Sequence, residues 1–425
     1  MRFLEETFVP LAAKVGTQKH LKVIRDSFMT TMPLTIAGAI AVLINNFAQV
    51  FNENGLDVPA IYNGWTNFIK LTGLQDVCNF INKGTVATLA LLIIISIAYY
   101  LAIENKGSGI ATACVALSIY CGIAIRDVGL LNEILDAKGL FVAMIIGLIT
   151  GEIFPRLANN QRLRIAMPEG VPPAVSEAFS NLIPAIITVF IITSVSNIVM
   201  QLTGMTIWDL VTKFVSAPLS NVADSVFTTI IENLFVSILW MFGIHGASIA
   251  NSITQPVLYP LLQENMIAYT NGENLPYTVV HLFRNVYGQL GGSGATFGFL
   301  IASFLFSKSK SERAIAKIAL PCGIFQINEP ITFGIPIVMN PVYAIPFVVG
   351  PALLCAISYF LVRTAIIGGI CIEIPWVTPP IINAFLATGG NVMSAVWSAI
   401  ELVILTILWA PFVMISSRVE ANKSK

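Results

Sequence analysis

Residues 183–200 read IPAIITVFIITSVSNIVM, a run with no ionisable side chain. A helix needs about 20 such residues to cross the roughly 30 Å hydrocarbon core of a bilayer. Leu89–Ala98, Gly139–Ile153 and Val396–Ile415 sit in comparable stretches with almost no charge. Of 425 residues, 56% are hydrophobic and only 11% charged, and the mean hydropathy is +0.80. Soluble domains carry about a quarter charged residues, because a water-facing surface needs them. Most of this chain's surface therefore does not face water. Backbone groups inside lipid must be bonded within the span, and the alternating dyads of a membrane barrel are absent, so the spans are helical. The sequence specifies an all-α polytopic membrane protein.

About ten transmembrane helices are expected, near 28–50, 85–104, 109–126, 139–158, 181–203, 226–244, 247–268, 289–307, 343–363 and 394–416. Phe3–Phe28 mixes apolar and charged positions at helical spacing and reads as an interfacial amphipathic helix. Basic clusters precede the first span (Lys14, Lys19, Lys22, Arg25), follow the fourth (Arg156, Arg162, Arg164) and the eighth (Lys308, Lys310, Arg313, Lys317), and close the chain (Arg418, Lys423, Lys425). With ten spans all four fall on one face, which predicts cytoplasmic termini.

The texture changes part-way along. Residues 1–203 form an N-terminal membrane domain, 204–225 an amphipathic linker, and 226–425 a C-terminal membrane domain. In the last, Thr254-Gln255-Pro256, Gly291-Gly292-Ser293-Gly294 and Asn328-Glu329-Pro330 interrupt the apolar runs. Transporters build binding sites from such broken helices, because unwound backbone supplies polar groups at membrane depth. A short match between Gln255–Pro260 and Asn340–Pro346 is compatible with two related re-entrant hairpins.

Several function classes drop out. The 23 basic and 23 acidic residues cancel, giving no basis for a nucleic-acid partner. The six cysteines lack paired spacing and behave as small hydrophobes rather than disulfide or metal ligands. Glu5, Glu6, Lys14 and Lys19 interrupt the N-terminus before the first apolar run, against a cleaved signal peptide. Gly291–Gly294 lacks the lysine of a P-loop, and neither a zinc motif nor a serine elbow is present, so no cofactor is implied. Gly294 and Gly298 read more simply as a site of close helix packing.

An ionisable residue at the bilayer centre costs about 2.5–3.5 kcal/mol, which makes it a functional candidate. His245 ends an apolar span between Gly243 and Gly246, and Glu329 lies in Gln326-Ile327-Asn328-Glu329-Pro330. A carboxylate there suits sugar hydroxyls and general-base work, with its pKa raised by burial. An imidazole suits the same ligand. The plainer readings are a hydrogen bond closing a helix end for His245 and a salt bridge to a lysine or arginine for Glu329. Trp240 and Trp376 offer ring faces for sugar stacking or for the membrane-interface belt. Asn285 is a polar candidate near the glycine run, and His281 and Arg284 fit a loop equally well.

Met167–Val175, Gly243-Ile244-His245-Gly246 and Ile327–Gly334 together resemble the enzyme IIC component of bacterial phosphoenolpyruvate-dependent sugar phosphotransferase systems, in the lactose, cellobiose and chitobiose branch. The resemblance covers essentially the whole chain. It implies a homodimer in the cytoplasmic membrane, with the interface in the N-terminal half and the sugar beside two re-entrant hairpins in the C-terminal half. It also implies import of a β-linked disaccharide, released phosphorylated on its 6-hydroxyl. Glu329 would hold and deprotonate that hydroxyl, while His245 and Asn328 would contact the sugar. The phosphoryl donor would be a phosphocysteine on enzyme IIB, expected as a separate chain because this one stops at Lys425. The rival is a proton-coupled secondary sugar transporter with Glu329 as carrier.

Overall fold

The computed structural model describes residues 14, 17–52, 56–124, 135, 139–168, 170–335, 337–338 and 340–423. The expected amphipathic helix falls outside them up to residue 13, as do Glu169, Pro336 and Lys425. The side chains of Arg418 and Lys423 are likewise not described. Among the described residues the regular structure is helical throughout. The helices begin with α1 (Lys19–Asn46), α2 (Pro59–Leu71), α3 (Leu74–Gly84), α4 (Leu89–Glu104), α5 (Gly109–Ala124) and α6 (Leu140–Ala158). Then come α7 (Pro173–Thr203), α8 (Ile207–Val211), α9 (Ala217–Ala223), α10 (Val226–Met241), α11 (Gly246–Asn271) and α12 (Phe283–Val286). The chain closes with α13 (Thr296–Phe306), α14 (Lys310–Ile324), α15 (Glu329–Gly334), α16 (Pro341–Arg363), α17 (Ile382–Ala387) and α18 (Val392–Lys423).

Each expected span contains a helix, but fewer than ten qualify alone. Among the described residues, six stretches are long and apolar enough to cross: Lys19–Phe51, Leu74–Glu104, Leu140–Ala158, Pro173–Thr203, Pro341–Arg363 and Val392–Ser417. A seventh is counted if Ile207–Ala223 and Val226–Met241, bent by 72°, form one broken span. The shortfall has physical causes. Helix α13 has 11 residues and reaches only about 16 Å at 1.5 Å per residue. The start of the stretch expected at 289–307, up to Ala295, is instead a turn through Gly291, Gly292 and Gly294, all at positive φ. Helix α11 is 26 residues long, but Gln255, Gln263 and Asn265 lower its hydropathy. Pro256 and Pro260 lie inside it, so the expected break at Thr254-Gln255-Pro256 is continuous helix. Asn340, by contrast, starts α16, so the two matched Pro-rich segments are not structural equivalents.

The chain divides into two compact units. Thr17–Gly38 and Ile81–Asn221 make one, and Ala39–Phe80 with the chain from Val222 onward makes the other. In the first, Leu89, Ile93, Ile97 and Leu101 form a buried stripe along α4 at four-residue spacing. Gly147 and Gly151 of α6 face it: a Cβ on Gly151 would lie 2.9 Å from the Leu101 side chain. Small residues at this spacing let two membrane helices approach closely.

In the second unit, residues 39–80, which the sequence reading groups with the N-terminal domain, pack with the C-terminal half. Val50 sits where a Cβ on Gly390 would fall, and Trp65 Nε1 donates to the Ile44 carbonyl (2.9 Å). Helices α10 and α11 form an antiparallel hairpin in which Gly246 lies against the Val236 carbonyl, leaving no room for a Cβ. Helices α13 and α18 pack through Gly298, whose Cβ would stand 2.6 Å from Leu405 Cβ. Phe299, Tyr343 and Trp409 fill the core beside this contact, with ring centroids 5.1–5.9 Å apart. Gly294 has a different role from Gly298. It lies outside the helix, at φ +81 against the Phe347 ring.

Gly298→Val should therefore destabilise the protein by about 1–3 kcal/mol through overpacking. Gly64→Ala, with nothing within 4 Å, should be near neutral. Thermal unfolding of both in detergent checks the pair.

Candidate functional site

The site grows from the start of α11. His245 is the N-cap of that helix: Nδ1 accepts from the Ser248 amide (3.1 Å) and lies 2.8 Å from the Ser248 hydroxyl. A backbone N–H can only donate, so Nδ1 is the unprotonated nitrogen, and the neutral ring carries its proton on Nε2. Nε2 lies 3.4 Å from Glu329 Oε1. Capping thus fixes the tautomer that donates towards the carboxylate. The plain reading of His245 is present, since the histidine closes a helix end, while the neighbour of Glu329 is this imidazole rather than a lysine or arginine.

Glu329 opens the short helix α15 and is followed by Pro330. Its side chain is 41% exposed, so it faces open space rather than a sealed interior. The His245 imidazole beside it holds its carboxyl below the usual carboxylate range, outweighing partial burial. The expectation of a raised pKa is therefore corrected: the group is too exposed for desolvation to win.

The other candidates fall into place around this pair. Trp240 is 1% exposed and packs on His245 at 4.8 Å between ring centroids and on Phe333 at 5.8 Å. Its faces are covered, so in this conformation it supports the imidazole rather than offering a stacking surface. Phe333, which the sequence reading does not name, is 60% exposed and is the open aromatic next to the pair. Its position four residues after Glu329, one helical turn along, is the signal that would have found it. Asn328 is buried: Nδ2 donates to Thr332 Oγ1 (3.1 Å), and the Thr332 hydroxyl donates to the Asn328 carbonyl (2.9 Å). Trp376 is 46% exposed, on the turn from Pro375 to Thr378 closed by Thr378 N–H donating to the Pro375 carbonyl (2.9 Å). Asn285 is half-buried, and its carbonyl accepts from Asn383 Nδ2 (3.3 Å). Among the described residues, no hydrogen bond or ring contact joins the side chain of Asn285 or Trp376 to His245 or Glu329. Both segments connect to the site through Gln326, whose Nε2 donates to the Asn285 and Thr378 carbonyls.

Arg284 proves more than a loop residue. It is buried, with NH1 donating to Glu232 Oε1 (2.7 Å) and NH2 to Asn251 Oδ1 (2.8 Å). The ion pair joins α10, α11 and the segment that carries Asn285.

Comparison with known proteins gives this geometry its context. The family model described as "Phosphotransferase system, EIIC" matches residues 25–351. The chain belongs to the phosphotransferase system EIIC family. It is 31% identical to the oligo-beta-mannoside-specific EIIC component of Bacillus subtilis (strain 168), over 99% of this chain and 95% of that protein. It is 30% identical to the cellobiose-specific EIIC component of Lactococcus lactis subsp. lactis (strain IL1403), over 99% and 98%. Among solved structures, the IIC component of the N,N'-diacetylchitobiose-specific phosphotransferase system, a transporter, superposes with a TM-score of 0.89 at 30% identity. That match covers 100% of this chain and 99% of the other. This EIIC is thus a multi-pass membrane protein of a sugar phosphotransferase system, sharing its fold with a structurally known transporter.

Removing one partner of a buried ion pair strands the other charge, at about 3–5 kcal/mol. Arg284→Ala should lower the stability of this EIIC by that amount, and adding Glu232→Met should restore most of it. Denaturation of the single and double variants reads out the cycle.

Proposed function

We propose that this EIIC imports a β-linked disaccharide, with chitobiose or cellobiose ahead of lactose, and presents its 6-hydroxyl to a phosphocysteine on enzyme IIB. The observation that carries the reading is the His245–Glu329 pair: a fixed Nε2–H donor beside a half-exposed carboxylate, with Phe333 adjacent. The pair suits a neutral, hydroxyl-rich ligand, which offers no charge to grip. Relatives named for an oligo-β-mannoside, cellobiose and N,N'-diacetylchitobiose support that substrate class.

In the proposed reaction, the sugar 6-hydroxyl oxygen attacks phosphorus, the P–S bond breaks, and cysteine leaves as thiolate. Glu329 orients the hydroxyl and accepts its proton. A carboxylate of lowered basicity is adequate, because phosphoryl transfer passes through a loose transition state and the proton can leave late. His245 anchors Glu329 and contacts the sugar, Asn328 holds the backbone at the site, and Asn285, Trp376 and Trp240 line or support it. We further propose a homodimer with both termini cytoplasmic, with the dimer interface in the N-terminal domain (1–203) and the sugar in the C-terminal one (226–425). The weakly buried apolar face of α7, with Phe179, Ile186, Phe190 and Val195 exposed, supports the interface. The proton-coupled alternative is not favoured, since the relatives are components of phosphotransferase systems.

Uptake into vesicles should require phosphorylated IIB and ignore an imposed proton gradient; the reverse dependence would sink the reading. Glu329→Gln should cut transfer by about 10²–10⁴-fold. A carboxyl with a depressed pKa stays ionised above it and loses its charge as pH falls through it. The contribution of Glu329 to sugar affinity, read as the ratio of wild type to Glu329→Gln so that titration of His245 cancels, should accordingly hold from about pH 7.5 to about 5 and decline only below the ordinary glutamate value of about 4.3. Calorimetric titration across pH checks this, and an inflection near 6 would contradict it. Phosphorylation adds about two negative charges beside Glu329, so the 6-phosphodisaccharide should bind more weakly than the free sugar in the same assay.

A further inference from the structure

We propose that Gln326 is a positioning residue, its side-chain amide locking together the three segments from which the sugar site is built. The inference rests on the sugar-site reading above and concerns a residue that reading does not use.

The argument starts with the backbone. Helix α14 ends with Ile327 N–H donating to the Cys322 carbonyl (2.9 Å) and Gln326 N–H to the Gly323 carbonyl (3.1 Å). This pair of bonds is the Schellman ending, whose left-handed residue is ordinarily glycine. Here that residue is Gln326, at φ +64. A side chain with a Cβ is disfavoured in this conformation, and such residues persist where the surroundings hold them. Helix termination alone gives no reason for a glutamine. The reason lies in what its side chain reaches.

Gln326 is 3% exposed, and its amide group is bonded on both sides. Oε1 accepts the Gly291 N–H (3.1 Å), while Nε2 donates to the Asn285 carbonyl (3.4 Å) and the Thr378 carbonyl (3.1 Å). These partners belong to the glycine turn, the Asn285 segment and the Trp376 turn. Gln326 itself stands three residues before Glu329. The glycine turn lies directly on this backbone, since a Cβ on Gly292 would be 2.6 Å from the Gln326 carbonyl oxygen and 3.0 Å from Asn328 Oδ1. A glutamine amide supplies two donor hydrogens and an acceptor in one rigid plane. One side chain therefore fixes the Asn285 and Trp376 segments with respect to the segment that carries Glu329.

The decisive variant is Gln326→Gly, which suits the left-handed backbone and keeps the helix ending, so the protein should still fold. Disaccharide affinity, measured calorimetrically on purified protein, should fall by about ten-fold or more, as expected for lost support worth about 1.4 kcal/mol. Trp376→Ala should cost less in the Gln326→Gly background than in wild type, because the two act through one unit. A merely structural glutamine would give additive effects. Hydrogen exchange tests the lock without sugar: Gln326→Gly should speed exchange at Gly291 by about ten-fold or more while leaving α11 unchanged. Affinity within two-fold of wild type, additive effects, or unchanged exchange at Gly291 would each overturn the proposal. If wild type bound no disaccharide, the sugar-site reading would fail, and the exchange experiment would still decide whether Gln326 is the lock.

Discussion

A backbone group that leaves a helix inside a bilayer must find its hydrogen-bond partner in protein, because lipid offers none. The irregular segments of the second unit exist on that condition. Thr296 donates to the Gly291 carbonyl (2.6 Å), Ser398 accepts from Ile381 N–H (3.1 Å), Ser394 accepts from Gly368 N–H (2.9 Å), and the Tyr287 hydroxyl donates to the Gly368 carbonyl (2.9 Å). These buried polar side chains replace water for the main chain. The proposed site, centred on His245 and the Glu329 carboxylate, lies among these segments.

The same condition explains why α11 is long yet poor in hydropathy. Asn265 gives its side chain wholly to the main chain, donating to the Tyr277 and Ile370 carbonyls (both 2.8 Å) and accepting from Tyr277 N–H (3.0 Å). Two residues and six residues earlier, Gln263 and Tyr259 both bond Glu373. The helix is thus a scaffold against which extended backbone is laid. Polar residues that would weaken a lipid-facing span strengthen one surrounded by protein.

Much of this was legible in the sequence, and the reasons are local. Runs such as 183–200 announce helices because span length is set by the bilayer, and the two ionisable residues singled out do lie side by side. Other features depended on distant packing. That Trp240 would be covered by His245 and Phe333, or that Arg284 would pair with Glu232, depends on helix contacts that no periodicity encodes. The ten-span reading counted apolar texture, and each of those stretches contains a helix, although short ones such as α13 do not stand out by length. The apolar neighbours of Glu329 in sequence predict a raised pKa, whereas its neighbours in space leave it half open. Gln326 gave no signal beyond its place just after a helix, where a glycine would have seemed ordinary.

The capping role of His245 narrows what that position can hold. Helix α11 needs an acceptor at its first residue, while Glu329 needs a donor on the opposite side of the same group. Aspartate would satisfy the helix and place a second negative charge against Glu329. Serine would satisfy the helix and fall short of the carboxylate. Lysine would reach the carboxylate and leave the helix uncapped. An imidazole has an acceptor and a donor on separate atoms of one rigid ring, so a single side chain meets both demands, and neither can be relaxed without the other being felt.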